Sequence, residues 1–326
     1  MRSNRYLRAP PSDHFDGVRF FNPGQEQPDK TSWDVLKWQA AGGRAKWPTS
    51  VPVVQAKPVP QSQQLRVTMV GHATTLIQFR GLNILTDPVW SDRASPVPFA
   101  GPRRVTIPGV AFEDLPRIDY VLLSHNHYDH LDLKTLGRLH KDHTPTIITP
   151  IGNDTIIRSR VSEARVLTGD WHDSFDLSVT ATIVPANHWS ARGTRDRRMA
   201  LWAGFVLAHG GTSLYFAGDT GYCSGSIFRD IRTRYGDQSV ALLPIGAYEP
   251  RWFMAPQHVN PAEALKIMED VGAAHALGIH WGTFRLTNEG RDAPKQALAE
   301  AVELMVISQA RFQAAEPGAV YDFEAH

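Results

Sequence analysis

The run Ser124-His125-Asn126-His127-Tyr128-Asp129-His130 constrains this chain more than any other feature. Three histidines and a carboxylate stand within six positions, directly after the apolar stretch 120–123. A turn leaving a strand can aim alternate side chains at one point. His125 and His127 can then share an ion while Asp129 and His130 face a second beside it. Neutral imidazole and carboxylate are ordinary zinc ligands, at ~2.0–2.2 Å. Without an ion, the same groups would be a costly concentration of titratable side chains that serves no packing. With 14 histidines in 326 residues, chance produces such a pattern in roughly one sequence in a thousand.

Three further residues fit the same geometry. His188 follows the apolar run 179–184, Asp219 follows 213–217, and His280 follows 276–279. Each lies a few positions past the end of a predicted strand, where ligand sites of open α/β sheets collect. Seven ligands are too many for one ion and suit two. His125, His127 and His188 would take one, and Asp129, His130 and His280 the other. Asp219 would bridge them, together with a water or hydroxide. Ions ~3.5–4 Å apart support attack on a phosphorus or carbonyl centre, and zinc brings the pKa of its water to about 7.

The rest of the chain supplies the frame. Residues 1–62 read as an N-terminal extension and linker, and 63–326 as the catalytic domain. The extension carries one helix over 32–41, capped by Thr31 or Ser32. Pro48, Pro52, Pro58 and Pro60 make 47–61 extended. Apolar runs at 65–70, 75–79, 82–85, 118–123, 146–149, 179–184, 201–207, 213–217, 240–245 and 276–279 predict at least nine strands. Helices are expected after Asp132, from the cap Asn260-Pro261-Ala262-Glu263, and over 294–306. The mixture is α/β (α+β), with no repeat visible in the sequence.

Composition excludes some partners. A net charge of +1 gives no support to nucleic-acid binding and no overall attraction to an anionic membrane. The single cysteine, Cys223, cannot form an internal disulfide and is read as buried and structural. No apolar run approaches the ~18–20 residues that span a bilayer, and the polar, Arg-rich N-terminus argues against a signal peptide. The expected location is cytoplasmic, with peripheral contact at a membrane surface left open, as is a homodimer.

The order H-x-H-x-D-H, then His188, Asp219 and His280, resembles the metallo-β-lactamase superfamily. The resemblance implies a four-layer αβ/βα sandwich with metals at one edge. It gives Asp87, after the run 82–85, the part of a carboxylate supporting the ligands from behind. Many true β-lactamases place Cys where Asp219 stands, which disfavours antibiotic hydrolysis. Within the superfamily, Val70-Gly71-His72-Ala73-Thr74, Leu85-Thr86-Asp87-Pro88, residues 124–132, 216–223, 244–254, Gln257-His258-Val259 and 279–284 are similar to the phospholipases D that hydrolyse N-acylphosphatidylethanolamine. The likeness runs over roughly residues 65–290.

That likeness implies two Zn2+, though other divalent transition metals suit the same donors. It implies a phospholipid or small phosphodiester substrate. A metal-bound hydroxide would attack phosphorus, yielding N-acylethanolamine and phosphatidic acid. Asp129, Asp219 and His258 are the expected catalytic residues. Substrate contacts fall on Tyr128 and His258, with Gln257 beside the latter. Read on their own, Tyr128 can reach a phosphate from within the metal loop, and His258 precedes a helix start that favours anions. Arg251 suits a phosphate or a nearby carboxylate. Trp252, Phe253 and Met254 form an apolar loop that suits acyl chains, a membrane surface or the core. Arg192, Arg195, Arg197 and Arg198 form a basic loop for anionic headgroups or for solvent. A lactonase or another phosphodiesterase acting on a small soluble substrate is the alternative enzyme. A non-catalytic metal-binding regulatory protein is the alternative of another class, against which the complete ligand set argues.

Overall fold

Most strands of this chain are apolar on both faces, so each sheet they form must be covered twice. The computed structural model describes residues 3–25 and 29–324. Its strands are β1 (Leu65–Gly71), β2 (Thr74–Phe79), β3 (Leu82–Thr86), β4 (Tyr120–Leu122), β5 (Thr146–Pro150), β6 (Arg165–Gly169), β7 (Ser174–Asp176), β8 (Thr180–Val184), β9 (Gly204–His209), β10 (Thr212–Phe216), β11 (Val240–Pro244), β12 (His275–Ile279), β13 (Phe312–Ala314) and β14 (Val320–Phe323). They make two seven-stranded sheets, β14-β1-β2-β3-β4-β5-β6 and β13-β12-β11-β10-β9-β8-β7.

Period-two alternation assigns the layers. In β10, Leu214 and Phe216 face the core between the sheets, where they meet Ile77, Ile84 and Leu122 of the first sheet. Tyr215, between them, faces outward onto Phe228, Ile231 and Leu265. Those three lie on α4 (Ser226–Tyr235) and α6 (Pro261–Asp270), which cover the second sheet with α7 (Ala293–Leu304). The outer face of the first sheet, through Leu76, Val121 and Ile147, packs on α2 (Leu133–His143) and α3 (Asn153–Arg158). Helices, sheet, sheet, helices: this is the αβ/βα sandwich the resemblance implied. Burying each such Leu, Ile or Phe contributes roughly 1.5–3 kcal/mol.

Caps fix where the helices next to the site begin. Asp132 Oδ1 accepts the N–H groups of Lys134 and Thr135 at the start of α2. Asn260 and Glu263 form a reciprocal capping box at the start of α6. The expected helix over 32–41 is α1 (Ser32–Ala41), capped by Thr31.

Three readings are corrected. The run expected as a strand over 201–207 enters the ladder only at Gly204. Before that, Leu201 N–H and Ala203 N–H donate to Ile151 O and Ser124 O, at 2.9 and 3.0 Å, tying the second half to the start of the metal loop. Residues 252–254 are not a loop but most of a short helix, α5 (Arg251–Met254), in which Phe253 and Met254 are buried and Trp252 is 46% exposed. Cys223 is exposed rather than buried, because it lies in the surface turn between β10 and α4 rather than in the core.

The N-terminal residues lie against the sandwich. Asn4 Nδ2 donates to Met199 O (2.8 Å), Tyr6 Oη to Asp196 (2.6 Å) and Asn22 Nδ2 to His188 O (3.1 Å). Among the described residues, no helix is long and apolar enough to cross a membrane.

Candidate metal centre

Every strand that delivers a site residue points the same way within its sheet, so the loops after them meet at one edge. β3, β4 and β5 are parallel, as are β10, β11 and β12. Asp87 follows β3, the His125–His130 turn follows β4, Asp219 follows β10, and His280 follows β12. Two glycines let the loops close. A Cβ on Gly218, at φ +61°, would fall 2.8 Å from Ser124 Cβ, and one on Gly246 would fall 2.3 Å from His280 O.

The structure brings all seven expected ligands together in two groups. In the first, His127 Nδ1 lies 2.9 Å from His125 Nε2 and 3.2 Å from His188 Nε2. In the second, His130 Nε2 and His280 Nε2 are 3.1 Å apart, and Asp129 Oδ2 lies 3.5 and 3.3 Å from them. Asp219 stands between the groups. Its Oδ2 is 3.2 Å from His130 Nε2, 3.7 Å from His188 Nε2 and 3.9 Å from His125 Nε2, while Oδ1 is 3.2 Å from His280 Nε2. Donors at ~2.0–2.1 Å around a tetrahedral ion lie about 3.3 Å from one another. The spacing therefore fits a cation in each group.

Buried partners set the ring protons. Ser124 N–H and Oγ–H donate to Asp87 Oδ1 and Oδ2 at 2.7 and 2.6 Å, and His130 Nδ1–H donates to Asp87 Oδ2 at 2.6 Å. His125 Nδ1–H donates to Ser124 Oγ at 2.9 Å, and His188 Nδ1–H to Gln257 O at 2.9 Å. Each contact turns Nε2 toward its group, which is the nitrogen a metal needs. Asp87 thus supports the cluster from behind, reaching His130 directly and His125 through Ser124.

The two groups differ in charge. Burial, reinforced by neighbouring rings, holds His125 and His188 well below the ordinary imidazole value, and burial brings His127 down to about 3. Burial also opposes charge on His130 and His280. There, however, the carboxylates win: Asp219, Asp129 and Asp87 push His130 well above the ordinary value, and Asp219 and Asp129 push His280 up to about 9. Burial likewise disfavours ionised Asp129 and Asp219, but His130 and His280 hold both well below the carboxylate range. Protons on the second group occupy the electrostatic place of a cation.

The expected substrate residues are placed unequally. His258 is buried, with Nδ1 lacking a hydrogen-bond partner and 3.9 Å from Asp219 Oδ2; burial lowers its pKa to about 4, so the ring is neutral. Tyr128 lines a cleft of about 630 Å³ together with Trp90, Lys134, Arg160 and Arg192. Its hydroxyl donates to Arg192 O at 2.9 Å. Gln257 is turned away from the cleft. Its amide accepts from Trp189 Nε1 and donates to Met254 Sδ. Arg251 is corrected from a phosphate contact to a brace, because its guanidinium pairs with Glu263 Oε2 at 2.6 Å and donates to His258 O at 2.8 Å.

Three residues near the centre were given no role from sequence, and a fourth, Arg192, was read only as part of a basic loop. Ser124 and Trp189 adjoin ligands, and that adjacency was the available signal; the Trp189 ring meets His127 edge-on at 4.4 Å. Arg192 lies over the Tyr128 ring at 3.7 Å and donates to Asn126 O and Leu131 O, clamping both ends of the metal loop. His72 donates to Asp129 Oδ2 at 2.9 Å and is 1% exposed.

Known proteins are similar to this chain in sequence and fold. A family model described as a beta-lactamase superfamily domain matches residues 82–281. The chain is 38% identical over 251 residues to the N-acyl-phosphatidylethanolamine-hydrolyzing phospholipase D 1 of Caenorhabditis elegans, covering 73% of this chain and 70% of that one. It is 38% identical over 243 residues to the mitochondrial N-acyl-phosphatidylethanolamine-hydrolyzing phospholipase D of Saccharomyces cerevisiae, covering 72% of this chain and 51% of the yeast protein. The fold is similar to that of Igni18, a metallo hydrolase from the archaeon Ignicoccus hospitalis, with a TM-score of 0.58 at 20% identity over 80% of this chain and 99% of that one.

Proposed function

Because this chain belongs to the metallo-β-lactamase superfamily and is a metal-dependent hydrolase, we propose that it is a binuclear zinc phosphodiesterase that cleaves N-acylphosphatidylethanolamine-type phospholipids to N-acylethanolamine and phosphatidic acid. The observation that carries this reading is the position of Asp219, within reach of both donor groups. His125, His127 and His188 would hold one cation, Asp129, His130 and His280 the other, and Asp219 both. Two such cations, when bound, activate water and offset charge on a phosphoryl group.

The chain's own residues do the rest. Asp87, Ser124 and the Gln257 carbonyl hold imidazole tautomers, so no proton has to move before a cation is held by His125 or His188. His258 presents a neutral ring whose free nitrogen can hydrogen-bond a phosphoryl oxygen, and Arg251 and the cap of α6 fix its main chain. Trp189 walls the first group and excludes water from one side. Tyr128 lines the cleft beside the metal loop, together with Arg192.

A lipid substrate is supported by the two named relatives and by one surface. α1 packs on α5 through Trp38 and Phe253, whose rings are 5.0 Å apart. Around that contact Trp33, Leu36 and Trp252 are exposed, with Lys37 5.3 Å from the Trp252 ring and Lys30 5.7 Å from Phe253. Exposed indole rings among lysines suit the interface of an anionic bilayer.

Turnover on N-acylphosphatidylethanolamine in mixed micelles, beside a lactone panel and bis-p-nitrophenyl phosphate, tests the reading. The expected products are phosphatidic acid and N-acylethanolamine, with two ions per chain by metal analysis. Hydrolysis of lactones alone sinks the substrate assignment. Two bound ions with no ester hydrolysis would make the chain a binding protein. Trp33→Ala with Trp252→Ala should weaken sedimentation with anionic vesicles and leave turnover of the soluble diester unchanged.

A further inference from the structure

We infer that His72 is a positioning residue for the second cation: its Nε2–H holds Asp129 Oδ2 in the orientation that faces His130 and His280. The inference deepens the two-cation reading and rests on it. His72 follows β1 directly, and its ring is enclosed by metal-group side chains. The His280 ring centroid is 4.0 Å away, that of His130 5.6 Å, and Phe284 packs edge-on at 5.1 Å. Its backbone is in the left-handed region at φ 57°, uncommon for a residue with a Cβ. Two hydrogen bonds keep it there: His280 N–H donates to His72 O at 2.7 Å, and His72 N–H donates to Thr283 Oγ1 at 3.1 Å. Backbone held in such a conformation is a cost that surrounding structure must offset, and it concentrates at functional sites.

The proton inventory says what the ring does. A carboxylate only accepts, so the 2.9 Å contact with Asp129 puts the imidazole proton on Nε2. Nε2 then has no lone pair for a metal. Nδ1, the remaining acceptor, is buried without a partner. The second group already has His130, His280, Asp129 and the shared Asp219, enough donors for a zinc-sized ion, with His72 Nε2 close beside them. What it lacks without His72 is a restraint on Asp129, whose side chain is 13% exposed and the least enclosed of the four. The charge-assisted bond from a fully buried ring supplies that restraint.

Titration of the metal-stripped full-length chain with Zn2+ against a chromophoric chelator tests this. Wild type should take two ions. H72F should keep the tighter site and lose about 10–100-fold in affinity at the other, the usual effect of removing a partner of a ligand. H72N, which fits the space but cannot reach Asp129, should behave like H72F. H72Q places an amide N–H near the position of Nε2 and should recover most of the loss. In a D129A background H72F should add nothing. Unchanged second-site affinity in H72F, no rescue by H72Q, or a further loss on top of D129A overturns the inference. So does an altered visible band in the Co2+-saturated H72F protein, which would mark His72 as a direct ligand. A wild-type chain that takes fewer than two ions overturns the two-cation reading and this inference together. Two ions in wild type with an unperturbed H72F overturn this inference alone.

Discussion

The two sheets have the same plan. Read from β14 to β6 and from β7 to β13, each has three antiparallel pairings followed by three parallel ones. β1 therefore matches β8, and β3 matches β10. His72 follows β1 as His188 follows β8, and Asp87 follows β3 as Asp219 follows β10. Equivalent strands thus deliver a histidine and an aspartate in each half, but at different depths. Asp219 and His188 present their oxygen and Nε2 to the donor groups themselves. Asp87 and His72 stand one contact further back, on His130 and Asp129. One topology supplies both the front of the site and its support.

Substitution of the matched aspartates should separate front from back most strongly. D219A removes a carboxylate reaching both groups and should lower kcat/KM roughly a thousandfold. D87N should instead reduce metal affinity by about 10–100-fold and be largely rescued by excess metal. Equal, unrescued losses in steady-state turnover would erase the distinction.

The pH dependence of metal uptake comes next. His280, raised to about 9, and His130, raised well above its ordinary value, are protonated at neutral pH in the metal-free chain and must lose those protons to bind. His125, His127 and His188 are already neutral. Loading should therefore release about two protons per chain near pH 7, all from the second group. Affinity at that group should rise with pH through about 9, where His280 loses its proton, whereas the first group stays flat between pH 6 and 9. Stability of the metal-free chain follows the opposite sign. The share due to the raised His280 is full below its unfolded value and is lost as pH climbs through about 9. Calorimetry in buffers of different ionisation enthalpy counts the protons, and pH-jump melts give the stability.

A smaller effect compares supports. D132A and N260A each remove the cap of the helix that follows a site loop, one in each half. Each should cost about 1 kcal/mol in urea unfolding. A much larger loss in one would show that the halves do not share stability evenly.

Much of this centre was legible because its ligands are the right residue types just past apolar runs. His188, Asp219 and His280 were found that way, and Asp87 through the family resemblance. What was not legible depends on contacts across the chain. The partner of His72 is 57 positions away, and the motif around His72, though matched to the family, gave the ring no role. Arg192 grips main-chain carbonyls at Asn126 and Leu131, and such acceptors carry no residue identity. Arg251 had an equally good phosphate or carboxylate reading, and only the fold shows Glu263 one helical start away. Among strands, β6, β7, β13 and β14 were missed because they are the four sheet edges, short and with exposed residues, so no period-two pattern stands out. α4 opens on Gly225 without a side-chain cap, so its start carried no signal.

The bond from Asn22 to the carbonyl of His188 joins positions 166 apart, and that from Asn4 to Met199 spans 195. Residues synthesised before the site loops therefore wait for a stretch made much later before they can settle. Pairings this distant in sequence are slow to form. Half of the catalytic edge is thus completed only once His188 and the segments after it have left the ribosome, and a nascent chain halted before residue 188 would carry the H-x-H-x-D-H turn with no way to finish the pocket it belongs to.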